Sequence, residues 1–140
     1  MFRLEDCLAY LASRNAKDLA DILEKRISVI GITRVQWMTL YYLYNNKDIT
    51  QKELALLLGT KEPTVVRLLD RMEKDDLVIR IHKDRRTNSI QLTGKGKELA
   101  LRGNEIAENF KNDAMKDIPE EYMDTFTWVL DKMITNTRPQ

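Results

Sequence analysis

A group of side chains able to bind phosphate and nucleotide bases lies between residues 82 and 88. This stretch reads HKDRRTN, with three permanent cations and one carboxylate. Arginine is drawn into the negative potential of a narrow minor groove, so a charged tip of this kind suits DNA. The alternative is a solvated turn whose charges serve only solubility. The candidate DNA contacts here are Lys83, Asp84, Arg85 and Arg86.

A second group of candidate contacts lies upstream, between residues 60 and 71. An arginine can bond guanine through two hydrogen bonds, and an exposed Val or Thr methyl can contact the methyl group of thymine. Arg67 and Asp70 are three residues apart, so the alternative is an ordinary surface ion pair on a helix. Taken alone, this second group favours the surface pair. The candidate contacts are Thr60, Lys61, Thr64, Val66, Arg67 and Arg71.

Two short helices are needed to position this second group. Thr50 and Glu53 have the spacing of a capping box, which predicts the start of the first helix. Leu54, Leu57 and Leu58 predict its buried face. Gly59 predicts its end, because glycine adopts the left-handed conformation without a Cβ clash.

The second helix begins almost at once. Pro63 is tolerated in its first turn, where backbone amides have no partner within the helix. The apolar spacing of Val65, Leu68, Leu69 and Met72 predicts an inward face. At about 100° per residue, the face opposite contains Pro63, Val66, Arg67 and Asp70, with Thr64 and Arg71 on one flank.

Two β-type segments follow and place the charged tip between them. Residues 77–81 are apolar apart from Arg80, and residues 89–93 alternate through Ile90 and Leu92. A helix-turn-helix followed directly by such a hairpin is uncommon by chance. The combination therefore favours DNA binding, and it predicts a winged helix-turn-helix.

The sequence resembles the MarR family of transcription regulators. The resemblance is carried by TVVRLLDRME at 64–73, LVIR at 77–80, DRR at 84–86, LTGKG at 92–96, and the spacing of Gly31, Ile32, Thr33, Gln36 and Leu40. It implies that Asp84 pairs with Arg86, that Arg86 enters the minor groove, and that Thr64 and Arg67 lie near base edges. Asp76 stands where the family usually has glycine; Asp tolerates left-handed backbone better than most residues, so we expect the turn to survive.

Composition and charge define the broad class of protein. The 140 residues are 43% hydrophobic and 32% charged, which predicts one soluble, cytoplasmic, globular domain without a signal peptide or membrane span. The net charge is only +1, but residues 61–102 hold 11 Lys and Arg against 7 Asp and Glu. The positive charge therefore falls where phosphate contacts are expected.

Helices flank the DNA-binding part on both sides. Apolar spacing predicts one long helix over 4–30, a second opened by Ile32 or Thr33, a third capped by Thr93 and a last one opened by Pro119. The first and last helices have broad apolar faces that need a cover, and packing against a second copy of the chain would bury both. We therefore expect a homodimer, with 1–46 and 94–140 as its helical dimerisation part and 47–93 as the winged helix-turn-helix. The alternative is that both helices pack only on their own chain.

Few residues support other chemistry. One His and one Cys make a Cys/His zinc site improbable, and no phosphate-binding glycine motif is present, so we predict no enzyme, metal or cofactor. Aromatic residues at 37, 41, 42 and 44 are consistent with a small-molecule effector pocket. We interpret most of them as core, because Trp37, Tyr41 and Tyr44 have helical spacing.

Cys7 defines an alternative function. Its position early in the first predicted helix resembles the peroxide-sensing branch of the MarR family. Arg34, however, stands where a tyrosine partner is expected, and Glu5 and Asp6 disfavour a thiolate. An unreactive thiol is the preferred interpretation.

The sequence thus predicts a homodimeric regulator, more consistent with a repressor, that binds a pseudo-palindromic double-stranded DNA and is released by an effector. The alternatives are redox sensing through Cys7 and a winged-helix module that binds protein rather than DNA.

Overall fold

A computed structural model describes residues 1–82 and 88–139. Over these residues the chain forms six α-helices and one antiparallel hairpin: α1 Leu8–Ile27, α2 Arg34–Asn45, α3 Gln51–Leu58, α4 Glu62–Lys74, β1 Val78–His82, β2 Asn88–Leu92, α5 Gly94–Ala114 and α6 Glu120–Thr137. This order confirms the predicted fold class, which is mainly helical with a small β-hairpin wing.

The chain divides into two compact units, Met1–Ala107 and Glu108–Gln140, and the boundary falls within α5. The first unit contains the main hydrophobic core. The buried apolar side chains of that core come from α1 to α5, the two strands and the loops between them: Ile27, Ile32, Leu40, Leu43, Ile49, Leu54, Ala55, Val65, Leu69, Met72, Leu77, Val78, Ile90, Leu99 and Ala100. In the second unit, α6 contains no buried residue among those described.

The single long helix predicted over 4–30 is wrong in detail. A 3₁₀ turn at Leu4–Asp6 precedes α1, and a second one at Ser28–Ile30 follows it. Gly31 then takes a left-handed conformation with φ 81°. The apolar spacing continues through all three segments, so it could not reveal where the hydrogen-bonding pattern changes.

The predicted starts of α2 and α6 are confirmed. The Thr33 side chain accepts from the backbone amide of Gln36 at 3.0 Å, and the Gln36 side chain accepts from the Thr33 amide at 3.0 Å. These two bonds form a complete capping box. Pro119 directly precedes α6, whose first turn carries Glu120 and Glu121. Acidic residues there are favourable because the helix N-terminus carries partial positive charge.

The aromatic residues of α2 are less buried than we predicted. Trp37 packs against the core, but Tyr41 and Tyr44 are 43% and 47% exposed. Their helical spacing is real, yet the buried face of α2 is centred on Gln36, Thr39, Leu40 and Leu43. The interpretation of Tyr41 and Tyr44 as core is therefore wrong.

Candidate nucleic-acid interface

Helices α3 and α4 form the helix-turn-helix. The Thr50 side chain accepts from the Glu53 amide at 3.1 Å, whereas among the described residues the Thr50 amide does not donate in return to the Glu53 carboxylate. Gly59 ends α3 in the left-handed conformation, with φ 67°. The Thr60 amide donates to the Ala55 carbonyl at 3.0 Å, and α4 begins two residues later. The chain therefore turns within three residues, which fixes α4 against α3.

One part of the α3 prediction is wrong. Leu57 is 45% exposed, and Ala55 takes its place in the core. The buried face is therefore Leu54, Ala55 and half-buried Leu58 rather than Leu54, Leu57 and Leu58. Both sets fit a helical period, and the choice between them depends on where α2 and α4 pack against α3.

Helix α4 has the two faces that the sequence predicted. Val65, Leu69 and Met72 are fully buried, and Leu68 packs against the core while partly exposed. Pro63 lies in the first turn. On the opposite face the predicted contact residues are all exposed: Thr64, Val66, Arg67 and Arg71, with Thr60 and Lys61 just before the helix. These six side chains therefore share one accessible surface, which we call the α4 face.

Asp70 on this face does not pair with Arg67. Its carboxylate instead accepts from the guanidinium of Arg80 on β1, a contact that joins the wing to the helix. The same guanidinium donates to Glu73 Oε1 at 3.3 Å, and the Arg80 backbone amide donates to Glu73 Oε2 at 3.1 Å. The interpretation of Arg67 and Asp70 as a surface pair is therefore wrong. Sequence reasoning missed Arg80. It could have been found as the one cation within an otherwise apolar strand, preceded by two carboxylates three residues apart on one helix.

We call Arg80, Asp70 and Glu73 the wing clamp. The Arg80 side chain is only 17% exposed, against 56% and 44% for the two carboxylates. The pKa of Glu73 is held below the ordinary glutamate value. The larger cause is the hydrogen bond from the Arg80 side chain, and the smaller is the hydrogen bond from the Arg80 backbone amide. The clamp has two consequences: β1 is attached to α4, and the negative charge of Asp70 is compensated on a surface otherwise rich in cations.

The wing strands pair in antiparallel register. Val78 lies opposite Leu92, Arg80 opposite Ile90, and His82 opposite Asn88. Each strand is shifted by one residue from its predicted bounds. The predicted contacts Lys83, Asp84, Arg85 and Arg86 lie outside the described residues, as does the predicted Asp84–Arg86 pair.

The base of the wing is tied together by backbone bonds. Asp76 has φ 62°, so it does adopt the left-handed conformation expected where the family has glycine. The Thr93 hydroxyl donates to the Asp76 carbonyl at 2.6 Å and accepts from the Gly96 amide at 3.0 Å, which caps α5 as predicted. The Thr93 amide donates to the Leu77 carbonyl at 3.1 Å. Both ends of the hairpin and the start of α5 are therefore joined to one another by hydrogen bonds.

Gly103, the last of the three glycines of α5, permits the close approach of Trp37 from α2. A Cβ at this position would lie 2.1 Å from Trp37 Cδ1. The Trp37 indole is held there by a 3.0 Å hydrogen bond from Nε1 to Asn104 Oδ1. Trp37 also lines a small cavity of about 240 Å³ together with Met38, Tyr41 and Tyr42.

The described part of the chain offers little support for other chemistry. Cys7 is partly exposed and immediately precedes α1, rather than lying within it as predicted. Among residues 1–82 and 88–139, no group of three His, Cys, Asp or Glu side chains is placed to hold a metal ion. Across the same ranges, no helix is long and apolar enough to span a membrane.

Comparison with known proteins adds to this geometry. A model of the MarR family matches residues 30–86, which include α2, the helix-turn-helix and β1. The transcriptional regulator PA3341, whose crystal structure is known, shares 31% sequence identity with this chain. The match covers 93% of this chain and 97% of that chain, with a TM-score of 0.80.

Two further similar structures contain DNA. The MepR–DNA complex of S. aureus has a TM-score of 0.84 at 24% identity, with 97% of this chain and 100% of that chain covered. The transcriptional repressor CouR, bound to a 23-mer duplex, has a TM-score of 0.79 at 25% identity, with 96% and 95% covered. From the winged helix-turn-helix, the family match and these similarities over nearly the full length, we conclude that the chain belongs to the MarR family of transcriptional regulators.

Proposed function

We propose that this protein is a homodimeric repressor that binds a pseudo-palindromic double-stranded DNA operator. Helix α4 enters the major groove, and the wing enters the flanking minor groove. Thr64 and Arg67 contact base edges, while Thr60, Lys61, Val66 and Arg71 complete the α4 face. Lys83, Asp84, Arg85 and Arg86 serve the minor groove.

The observation that carries this proposal is the charge balance of the α4 face. Neither Arg67 nor Arg71 forms an ion pair with any residue that the structure describes, so both guanidinium groups are available. Asp70, which would otherwise repel phosphate, is compensated by Arg80. Such an arrangement of helix and wing fits the grooves of a duplex. The similar structure of CouR, which is bound to a 23-mer duplex, supports DNA binding by this fold.

The terminal helices support the dimer. In α1, Leu8 and Leu19 are more than half exposed, although each is an apolar residue at helical spacing. Tyr122, Phe126 and Trp128 of α6 are more than half exposed as well. Large exposed apolar side chains such as these are common at interfaces, and a second copy of the chain offers the same side chains. We therefore propose that α1 and α6 pack against the partner, which light scattering after size exclusion would test.

An effector completes the proposal. The cavity beside Trp37, Met38, Tyr41 and Tyr42 offers an aromatic lining for a small molecule. Binding there changes the spacing of the two wings in the dimer and lowers DNA affinity. A regulator of this kind represses in the unliganded state.

The first test is selection of bound duplexes from a random DNA pool, followed by affinity measurements over a salt series. Arg67→Ala and Arg86→Ala are compared with Arg102→Ala, an exposed arginine of α5 outside the proposed interface. We expect wild type and the control to recover one palindrome. Arg67→Ala should relax the preference at one position in each half-site, at a cost of about 1–3 kcal/mol. Loss of Arg86 should weaken binding and flatten the salt dependence.

Recovery of no sequence motif, with all three variants equal to wild type, would overturn this proposal. It would favour a winged-helix module that binds protein instead of DNA. If peroxide changes the affinity of the wild-type protein for the recovered palindrome, and does not change that of Cys7→Ser, the redox-sensing alternative is supported.

A further inference from the structure

Met38 is a half-buried methionine of α2 whose sulfur accepts a hydrogen bond. The Arg34 guanidinium, one helical turn earlier, donates from Nη1 to Met38 Sδ at 3.3 Å. A thioether is only a weak acceptor, so a guanidinium that donates to it gives this sulfur a defined polar partner. The Arg34 backbone amide donates to Glu24 Oε2 of α1 at 2.7 Å. The start of α2, from which the guanidinium reaches Met38, is therefore joined to α1.

The Met38 side chain also lines the aromatic cavity beside α2. It shares that lining with Trp37, Tyr41 and Tyr42, and the cavity measures about 240 Å³. This volume is below the range of about 300–1,000 Å³ that is usual for drug-sized ligands. It exceeds several-fold the roughly 30 Å³ that one water molecule occupies in the liquid. A molecule of two or three non-hydrogen atoms, such as hydrogen peroxide, therefore fits beside the thioether.

Two other methionines provide a comparison with Met38. Met72 is fully buried in the core, and Met123 of α6 is 44% exposed. No side chain within residues 1–82 or 88–139 donates a hydrogen bond to either of these two sulfur atoms. Met72 therefore shows how slowly a buried thioether reacts, and Met123 shows how an exposed thioether without a donor reacts.

We propose that Met38 is a site of oxidation to methionine sulfoxide by peroxides, and that Arg34 determines which face of the sulfur reacts. A lone pair of Met38 Sδ attacks one oxygen of hydrogen peroxide, so that an S–O bond forms and the O–O bond breaks. The distal oxygen leaves as hydroxide and takes the proton of the sulfur-bound oxygen, which gives the sulfoxide and water. Sulfur loses two electrons and the peroxide gains them. No cysteine takes part in this reaction.

The hydrogen bond from Arg34 makes the two faces of the sulfur unequal. A thioether sulfur has two lone pairs, and oxidation at one or the other gives opposite sulfoxide epimers. The lone pair that accepts from Arg34 reacts only after that bond has broken. One hydrogen bond corresponds to a factor of about 2–10 in relative rate. We therefore expect an epimer ratio between about 2:1 and 10:1 at Met38, and nearly equal epimers at Met123.

The sulfoxide changes the polarity of the aromatic cavity. It places a polar S–O group among the rings of Trp37, Tyr41 and Tyr42, where the thioether was apolar. Covering such a group with an apolar molecule removes it from water and costs free energy. An apolar molecule should therefore bind less tightly in the oxidised cavity. This consequence concerns the cavity that the proposed function assigns to an effector, but it does not depend on DNA binding.

Peptide mapping by mass spectrometry tests the oxidation site. Every protein carries Cys7→Ser, so that thiol oxidation does not contribute, and hydrogen peroxide is applied for increasing times. We expect Met38 to be oxidised faster than fully buried Met72. The digested peptides are then divided between two methionine sulfoxide reductases, each specific for one epimer. The amount of methionine that each enzyme restores gives the epimer ratio at each position.

Arg34→Ala tests the role of the guanidinium, and Arg102→Ala, an exposed arginine of α5, is the matched control. The control should keep the unequal epimer ratio at Met38, whereas Arg34→Ala should still be oxidised there but give nearly equal epimers. Oxidation in concentrated urea should also give equal epimers, because unfolding removes the hydrogen bond. Equal epimers in the folded parent protein, or an unequal ratio that persists in Arg34→Ala, would overturn the role of Arg34. Oxidation of Met38 as slow as that of Met72 would overturn the site itself.

The change in cavity polarity is measured by nuclear magnetic resonance with benzene as the probe. Benzene enters apolar protein cavities of about 150 Å³, and the indole N–H signal of Trp37 reports its binding in this cavity. Peroxide treatment should weaken benzene binding by about 5-fold or more, the lower end of the penalty for a buried polar group without a partner. The same treatment should leave benzene binding to Met38→Leu unchanged. Equal benzene affinity before and after oxidation of Met38 would overturn the proposed change in cavity polarity.

Discussion

Replacing Gly96 with alanine should destabilise the protein, although alanine is the better helix former. Gly96 lies in the first turn of α5, where a Cβ would be 2.1 Å from the Leu77 carbonyl oxygen and 3.1 Å from its carbon. Ordinary contact begins near 3.4 Å, so the two segments must separate by about 1.3 Å. The Leu77 carbonyl is not free to withdraw, because it accepts from the Thr93 amide at 3.1 Å.

The magnitude follows from three terms. Overpacking against fixed backbone typically costs about 1–3 kcal/mol. Lifting α5 also weakens the Thr93 cap, whose bond to the Gly96 amide is 3.0 Å; a lost N-cap costs about 1 kcal/mol. The gain in helix propensity offsets up to about 1 kcal/mol. The free energy of unfolding should therefore fall by about 1–3 kcal/mol, or roughly 3–10 °C in Tm.

Gly94→Ala is the matched control. Gly94 is the first residue of the same helix, and a Cβ there meets nothing within 4 Å. This variant should be neutral or more stable by up to about 1 kcal/mol. Urea unfolding followed by circular dichroism measures both variants, and operator affinity reports on the wing base. A Gly96→Ala protein as stable as Gly94→Ala would refute the close approach and the reasoning built on it.

Three further predictions concern contacts seen in the structure. Arg80→Gln should weaken operator binding about tenfold, because it leaves two carboxylates uncompensated near phosphate, and adding Asp70→Asn should restore part of the lost affinity. Fluorescence anisotropy measures the DNA affinity of both variants. Unchanged affinity in the single variant would contradict the wing clamp. Because the folded-state pKa of Glu73 is lowered, its contribution to stability is present above the unfolded glutamate pKa of about 4.3 and is lost as pH falls through the folded value. The Tm difference between wild type and Glu73→Gln should therefore shrink on acidification, and a difference independent of pH would contradict the hydrogen bond. Gly103→Ala should lower the free energy of unfolding by about 1–3 kcal/mol, because the added Cβ clashes with Trp37. In a double-mutant cycle, the same substitution made in a Trp37→Leu background should cost much less. Additive effects of the two substitutions would contradict the contact.

The local elements could be predicted because their signals are local. A cap forms between residues two or three apart, so Thr33, Thr50 and Thr93 mark helix starts wherever the helices are placed. Val65, Leu69 and Met72 have a spacing that allows only one inward face. Asp76 follows the same logic, since a left-handed residue depends on its own side chain and its two neighbours.

Packing partners could not be predicted in the same way. Either Leu57 or Ala55 completes a helical stripe on α3, and only the packing of α2 and α4 against α3 decides which of the two is buried. Tyr41 has the spacing of a core residue, yet the neighbouring segments cover another side of α2. Spacing determines which residues share a face, while exposure depends on what lies against that face.

The sequence by itself thus determined the family, the helix-turn-helix and the exposed side of α4, because each depends on short-range pattern. Tertiary structure decided that Arg80, rather than Arg67, compensates Asp70, since the pair joins a strand to a helix across a turn. It also decided that Gly96 lies against the Leu77 carbonyl, and that two lysines fifty residues apart in sequence, Lys47 and Lys97, line one cavity. Ion pairs, close backbone contacts and cavities need distances between segments, and spacing along the chain does not contain them.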